Sequence, residues 1–285
     1  MRLAVPILLA IGCGSPSALV TDAPVGSGTT DATDAASASA SRCTESGTAL
    51  TCTSHTSEVA GRAVTYELPL GMPPAGGWPT VVFFQGSFVP GSHAFTAMPS
   101  DPFGQLELTR TVQALLDRGY AVVAPDARSG GSSFWQTNVP PCATAWSGCE
   151  DDVLVQRLLA AIGAGDLGPL AVDRLHAMGI SSGGFMTSRM AVSYPGKFRS
   201  LAIHSGSYAT CGVACTVPAL PADHPPTLFL HGDADTTVPL SVMTPYRDQL
   251  AASGVATDTV IHVGAGHEWV TEGKTAIPAW FDAHP

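Results

Sequence analysis

The chain has 285 residues, 45% of them hydrophobic and 13% charged, enough apolar material for one sizeable α/β core. With 13 Lys+Arg against 23 Asp+Glu the formal net charge is −10, which argues against a protein that wraps nucleic acid. Acidity of this kind favours solubility and by itself names no substrate.

Residues 1–13 read as an export signal. Arg2 precedes an apolar run, Leu3 to Ile11, too short to span a bilayer and suited to the hydrophobic region of a signal peptide. Gly12-Cys13 resembles the end of a bacterial lipoprotein signal, in which Cys13 becomes lipidated and tethers the protein to a membrane. Ala10 departs from the leucine that this pattern prefers, so free secretion is the alternative. Residues 14–42 are rich in Ser, Thr, Ala, Gly and Asp. Such a stretch buries too little apolar surface to offset its ordering entropy, so it is expected to be a flexible tether ahead of one folded domain over 43–285. Six further cysteines follow, an even number that suggests disulfides in an exported chain. Close spacing favours the pairs Cys43–Cys52, Cys142–Cys149 and Cys211–Cys215. The C-x3-C at 211–215 has no second pair at zinc-like spacing, so no metal site is expected.

Within the domain, "RAVTYELPL" (62–70) alternates like an early antiparallel strand, and "TVVFFQG" (80–86) is a continuous apolar run like a buried parallel strand. A helix is predicted over 105–119, ending at Gly119, and a buried strand over 120–126. Residues 150–164 form a helix whose first turn carries Glu150, Asp151 and Asp152, favourable to the helix dipole. Strands follow at 174–180, 200–206, 227–233 and 258–264, with helices from Ser182 to about Tyr194, around 244–253 and around 275–283. Strands alternating with helices predict a mostly parallel, doubly wound sheet flanked by helices, with no internal repeat and no second domain.

The junction "HAMGISSGGFMTSRMAVSYP" (176–195) carries the chemistry. A serine at the tip of a sharp strand-to-helix turn has an exposed hydroxyl, and crowding requires small residues two positions to either side. Gly179-Ile180-Ser181-Ser182-Gly183 satisfies this with Ser181 at the centre. Centring on Ser182 would put β-branched Ile180 at a crowded position. A serine hydroxyl needs a base, and the base an orienting carboxylate; in the α/β-hydrolase arrangement they follow in the order Ser, Asp or Glu, His. "HGDADTTVP" (231–239) and "VGAGHEW" (263–269) are loops after strands, where sites of open α/β sheets gather. The pattern H-G-x-x-D-x-x-V-P, common in hydrolases of this kind, selects Asp235, leaving Asp233 as a turn residue. His267 lies on a glycine-bearing loop after the last strand, whereas His231 and His204 read as packed, satisfied histidines. The backbone N–H of Ser182 and that of Ser87, with Phe88 as the alternative, are the expected oxyanion-hole donors.

"MGISSGGFMTSRMAVSYP" followed by "FRSLAIHSGSYATC" resembles the secreted medium-chain-length polyhydroxyalkanoate depolymerases, and more widely the polyhydroxybutyrate depolymerases and feruloyl-type esterases. The resemblance runs from about Val81 to the C-terminus. It implies an α/β-hydrolase fold over 43–285, the triad Ser181, Asp235 and His267, no cofactor, and a polyester substrate handled without a separate polymer-binding domain. No protein partner is inferred. A solid polyester requires an exposed apolar patch near the site. Phe88, Trp135, Trp146 and Trp269 are the substrate-contact candidates, with Phe95, Phe103 and Phe134 also on expected loops, and ordinary packing is the alternative for each. The loop 127–149 is expected to wall the cleft. The rival functions are an esterase of small or plant-derived soluble esters, a non-catalytic surface lipoprotein, and a peptidase. A complete triad argues against the second of these and the want of an oligopeptidase's extra domain against the third.

Overall fold

The structure, a computed structural model, describes residues 40–128, 134–212 and 216–285. The expected export signal with Cys13, the tether as far as residue 39, and Cys215 lie outside the described residues. The elements in chain order are β1 (Cys43–Ser46), β2 (Ala49–Cys52), β3 (His55–Val59), β4 (Arg62–Glu67), β5 (Trp78–Phe84), β6 (Thr96–Ala97), α1 (Gln105–Asp117), β7 (Ala121–Pro125) and α2 (Glu150–Ala164). They continue with β8 (Leu170–Ile180), α3 (Ser182–Ser193), β9 (Phe198–His204), β10 (Thr227–Gly232), α4 (Leu240–Ala252), β11 (Thr257–His262) and α5 (Gly273–Ala283).

Among the described residues, eight strands form one sheet in the order β11-β10-β9-β8-β5-β7-β4-β3. From β11 to β7 all neighbours are parallel, and β4 and β3 add an antiparallel edge. The inner parallel strands β5, β7, β9 and β10 are almost continuously buried runs because helices cover both faces. Alternate residues enter different cores: Val81, Phe83 and Met178 pack with α1 and α5, while Val82, Phe84 and Ala177 pack with α2 and α3. Phe229 and Ile203 face Tyr246 and Leu250 of α4. This is the α/β-hydrolase fold that the strand–helix alternation predicts.

Four strands, β1, β2, β3 and β6, carry no clear signal in the sequence. β1, β2 and β3 are short and rich in Thr, Ser and Glu, so no apolar run marks them. β1, β2 and the two-residue β6 form a small antiparallel sheet in which Cys43 faces Cys52 and is disulfide-bonded to it. Cys142 and Cys149 are likewise bonded to each other, and Cys211 is disulfide-bonded. Ser41 and Arg42, assigned to the tether by composition, are held on the folded body. Ser41 Oγ donates to Asp117 Oδ1 (2.7 Å) and Arg42 Nε to the Leu68 carbonyl (3.0 Å).

Candidate active site

Ser181 stands between β8 and α3 with φ 58° and ψ −125°, a backbone conformation that costs an ordinary residue about 1–3 kcal/mol and persists only where the surroundings enforce it. The enforcement is visible. A side chain at Gly179 would strike the Gly183 carbonyl, and one at Gly183 would strike the carbonyl of Phe84 on β5. The Ser181 N–H donates to the His204 carbonyl (3.1 Å), and the Ser181 carbonyl accepts from Phe185 N–H (3.1 Å) as α3 begins. Ser182 has helical geometry, so the elbow is centred on Ser181.

Asp235 follows β10 and is buried. Its Oδ1 accepts the N–H groups of Thr237 (2.9 Å) and Val238 (2.8 Å), and its Oδ2 lies 2.7 Å from His267 Nδ1. Burial works against its charge, but these hydrogen bonds outweigh it and hold the carboxyl below its ordinary value. With Nδ1 engaged by Asp235, His267 keeps Nε2 free. Asp233 is exposed and accepts the Gly264 N–H (2.6 Å), which ties the turn after β10 to the loop carrying His267.

Two other histidines, His231 and His176, are packed in the interior. His231 is fully buried and its Nε2–H donates to the Val238 carbonyl (2.7 Å), closing the Asp235 turn from below. His176 lies 2.9 Å from Ser200 Oγ, a serine–histidine contact that has no access to substrate because both residues are fully buried. Its ring packs against Tyr120 and Phe281, and burial pushes its pKa down to about 3.

Ser181 and His267 open into one cavity of about 530 Å³. Its floor is apolar, made by Phe83, Ala94, Leu108, Ile180 and Trp269. Phe88 and Phe103 stand at its mouth, 74% and 63% exposed, and both have left-handed backbones (φ 70° and 61°). Ser87 follows β5, lines the cavity, and its hydroxyl donates to that of Ser182 (3.2 Å). The segment from Gln85 to Ser87 is anchored from behind. The Gln85 amide donates to the Pro125 carbonyl (2.9 Å) and accepts the Ala127 N–H (2.7 Å), and the Gln85 carbonyl accepts the Trp135 indole N–H (3.0 Å).

Residues 98–281 match the dienelactone hydrolase family, a span that contains the elbow, the acid loop and the base loop. A poly(3-hydroxyoctanoate) depolymerase of Pseudomonas fluorescens is 51% identical over 229 residues, 80% of this chain and 81% of that protein. The chain belongs to the dienelactone hydrolase family. As a member of that family and a close homologue of the depolymerase, it is a carboxylic ester hydrolase. Solved structures agree on the fold. Esterase PE8 is 20% identical with a TM-score of 0.54, covering 77% of this chain and 100% of the esterase. A putative dienelactone hydrolase from Klebsiella pneumoniae is 18% identical with a TM-score of 0.52, covering 81% of this chain and 98% of that one.

In this dienelactone hydrolase relative, two expected substrate contacts are corrected by the structure. Trp135 is fully buried, edge-on to Phe84, and holds the Gln85 carbonyl instead of meeting solvent. Trp146 stands away from the cavity: its indole N–H donates to the Tyr194 hydroxyl (3.1 Å), and the Arg189 guanidinium lies 4.7 Å from its ring centroid. Arg189 also donates to the Thr137 hydroxyl (2.8 Å) and carbonyl (2.7 Å). The described part of the loop 127–149 is therefore packed on α3 and does not wall the cavity. Much of the wall comes from residues 86–108, which include the stretch 87–104 for which the sequence predicts no strand or helix. Trp269 is buried and lines the cavity floor, and Phe88 is at the mouth. Phe95 is a buried core residue, whereas Phe103 shares the mouth. Among the described residues, no helix is long and apolar enough to cross a membrane.

Proposed function

We propose that the protein hydrolyses the ester bonds of a polyhydroxyalkanoate with medium-length side chains, through an acyl-enzyme on Ser181. One observation carries the reading: Ser181 and His267 open into an apolar cavity whose mouth bears two exposed aromatic rings, Phe88 and Phe103. The likeness to a poly(3-hydroxyoctanoate) depolymerase supports the same substrate class. Ser181 Oγ attacks the ester carbonyl while His267 Nε2 takes its proton, and Asp235 stabilises the resulting imidazolium. The N–H groups of Ser182 and Ser87 receive the oxyanion, with the α3 N-terminus adding a favourable dipole. His267 then protonates the departing hydroxyacyl alcohol, and water, activated by the same imidazole, releases the acyl chain. The sequence signal and the disulfides support an exported enzyme, and lipidation at Cys13 would keep it on the cell surface.

Phe88 and Phe103 would adsorb the solid, and the cavity floor would take the alkyl branch of the repeating unit. Phe88→Ala and Phe103→Ala are expected to reduce clearing of a medium-chain polyester emulsion about tenfold, while turnover of a short chromogenic ester changes less than about twofold. Equal losses on both substrates would remove the adsorption role. A wild-type enzyme that clears no polyester but cleaves soluble esters would be the soluble esterase instead.

A further inference from the structure

We propose that His204 is a positioning residue that fixes the His267 loop against the Ser181 elbow; this rests on reading Ser181 and His267 as nucleophile and base. His204 ends β9, next to the elbow in the sheet, and is fully buried. Its backbone carbonyl accepts the Ser181 N–H (3.1 Å). Its ring Nε2 accepts the N–H of Val270 (2.9 Å), three residues beyond His267. The same ring stacks on Trp269, centroids 4.9 Å apart and planes 17° from parallel. One residue thus touches both halves of the reacting pair, the nucleophile through its main chain and the base loop through its side chain.

The chemistry of the contact selects histidine over a merely apolar filler. A backbone N–H can only donate, so Nε2 carries no proton and the ring hydrogen sits on Nδ1, 3.1 Å from Ser205 Oγ. Protonating Nε2 would place two donors face to face in a dry site. Burial keeps the imidazole neutral, and the neighbouring His231 and His267 push in the same direction. Other ties hold the loop elsewhere: Trp269 N–H donates to the Phe103 carbonyl (2.9 Å) and Gly264 N–H to Asp233 (2.6 Å). His204 supplies the tie that leads back to the elbow itself. A displacement of about 1 Å between nucleophile and base costs on the order of a hundredfold in rate.

The test compares wild type, His204→Phe, His204→Gln and Ser181→Ala on a short chromogenic ester. Phenylalanine keeps the stack on Trp269 and deletes the acceptor, whereas glutamine brings a carbonyl oxygen toward the Val270 N–H. In His204→Phe, kcat is expected to fall about 10- to 100-fold with KM altered less than about threefold. His204→Gln should recover kcat to within about threefold of wild type. A folded His204→Phe with wild-type kcat, or a His204→Gln as impaired as His204→Phe, overturns the proposal. Ser181→Ala retaining activity would overturn the triad reading itself, a result distinguishable from either. The wild-type protein offers a check that needs no variant: a nitrogen–nitrogen coupling across the hydrogen bond from Val270 N–H to His204 Nε2. Its detection supports the tie, and its absence with rapid exchange of the Val270 amide overturns it.

Discussion

At the scale of single residues, the site rests on a serine held where a serine is uncomfortable. The strain at Ser181 is sustained by two glycines with no room for a side chain and by the hydrogen bond to His204. Ser181→Ala is therefore expected to fold normally and to lose about four to six orders of magnitude in kcat, as members of a catalytic unit do. Ser182→Ala should lose less than about tenfold, because its proposed contribution is a main-chain N–H and only its hydroxyl contact with Ser87 is removed. Kinetics of the two purified variants on one soluble ester separate them; comparable losses would move the nucleophile. The elbow at Ser181 and the hydrogen-bonded Asp235–His267 pair were legible in the sequence because each is announced locally, by small neighbours, by a tight turn, or by a glycine-bearing loop after a strand. His204 was legible only as a satisfied core histidine. That it satisfies Val270 requires knowing where the chain returns 66 residues later. Trp135 was misread for a similar reason, since an aromatic residue on an irregular segment gives no sign of which way it faces.

At the scale of elements, the strands that build the parallel sheet were legible because two-sided burial leaves continuous apolar runs, and the helices because their apolar stripes are regular. The segment between β5 and α1 has neither property. Its form depends on distant anchors: Gly91 N–H on Asp126 (2.7 Å), and Gly104 so close beneath Trp269 that a side chain would strike its carbonyl. This segment walls the cavity, so the shape of the substrate site was the least legible part of the fold. Trp135 is the matching support on the other side, bracing the end of β5 through the Gln85 carbonyl. Trp135→Phe preserves most of the packing against Phe84 but deletes that hydrogen bond. It should lower kcat on polymer and soluble ester alike, about three- to tenfold, with a modest drop in Tm. A loss confined to polymer clearing would restore Trp135 to a substrate-contact role.

For the whole molecule, the buried histidines make stability sensitive to acid. His176, His204, His224 and His231 are all held below the ordinary histidine value, with burial the leading cause in each. Their rings stay neutral in the folded state while the unfolded chain takes up protons as pH falls through about 6.5. Their contribution is thus fully present above that pH and lost below it, by up to about 1.4 kcal/mol per pH unit for each ring. Asp152, Asp235 and Glu272, held low, add a further loss only below about pH 4, whereas Asp126 and Asp151, held high by burial, take up protons earlier and oppose it. Between pH 7.5 and 5 the histidines dominate, so Tm by circular dichroism should fall by several degrees; a flat profile would show that these rings are reached by protons in the native state. Heat acts differently because of where the sheet ends. Ser181, the proposed nucleophile, follows β8, whose last six residues are all buried, but His267, the proposed base, follows β11, which borders only β10 and has no fully buried residue. Rim strands open locally at lower cost than central ones. Warming should therefore silence the enzyme before it melts, with activity failing several degrees below the loss of helix signal and returning in full on cooling. The working limit of this catalyst is then set by fraying of its last strand, a reversible loss that stiffening β11 would postpone without touching a single reacting atom.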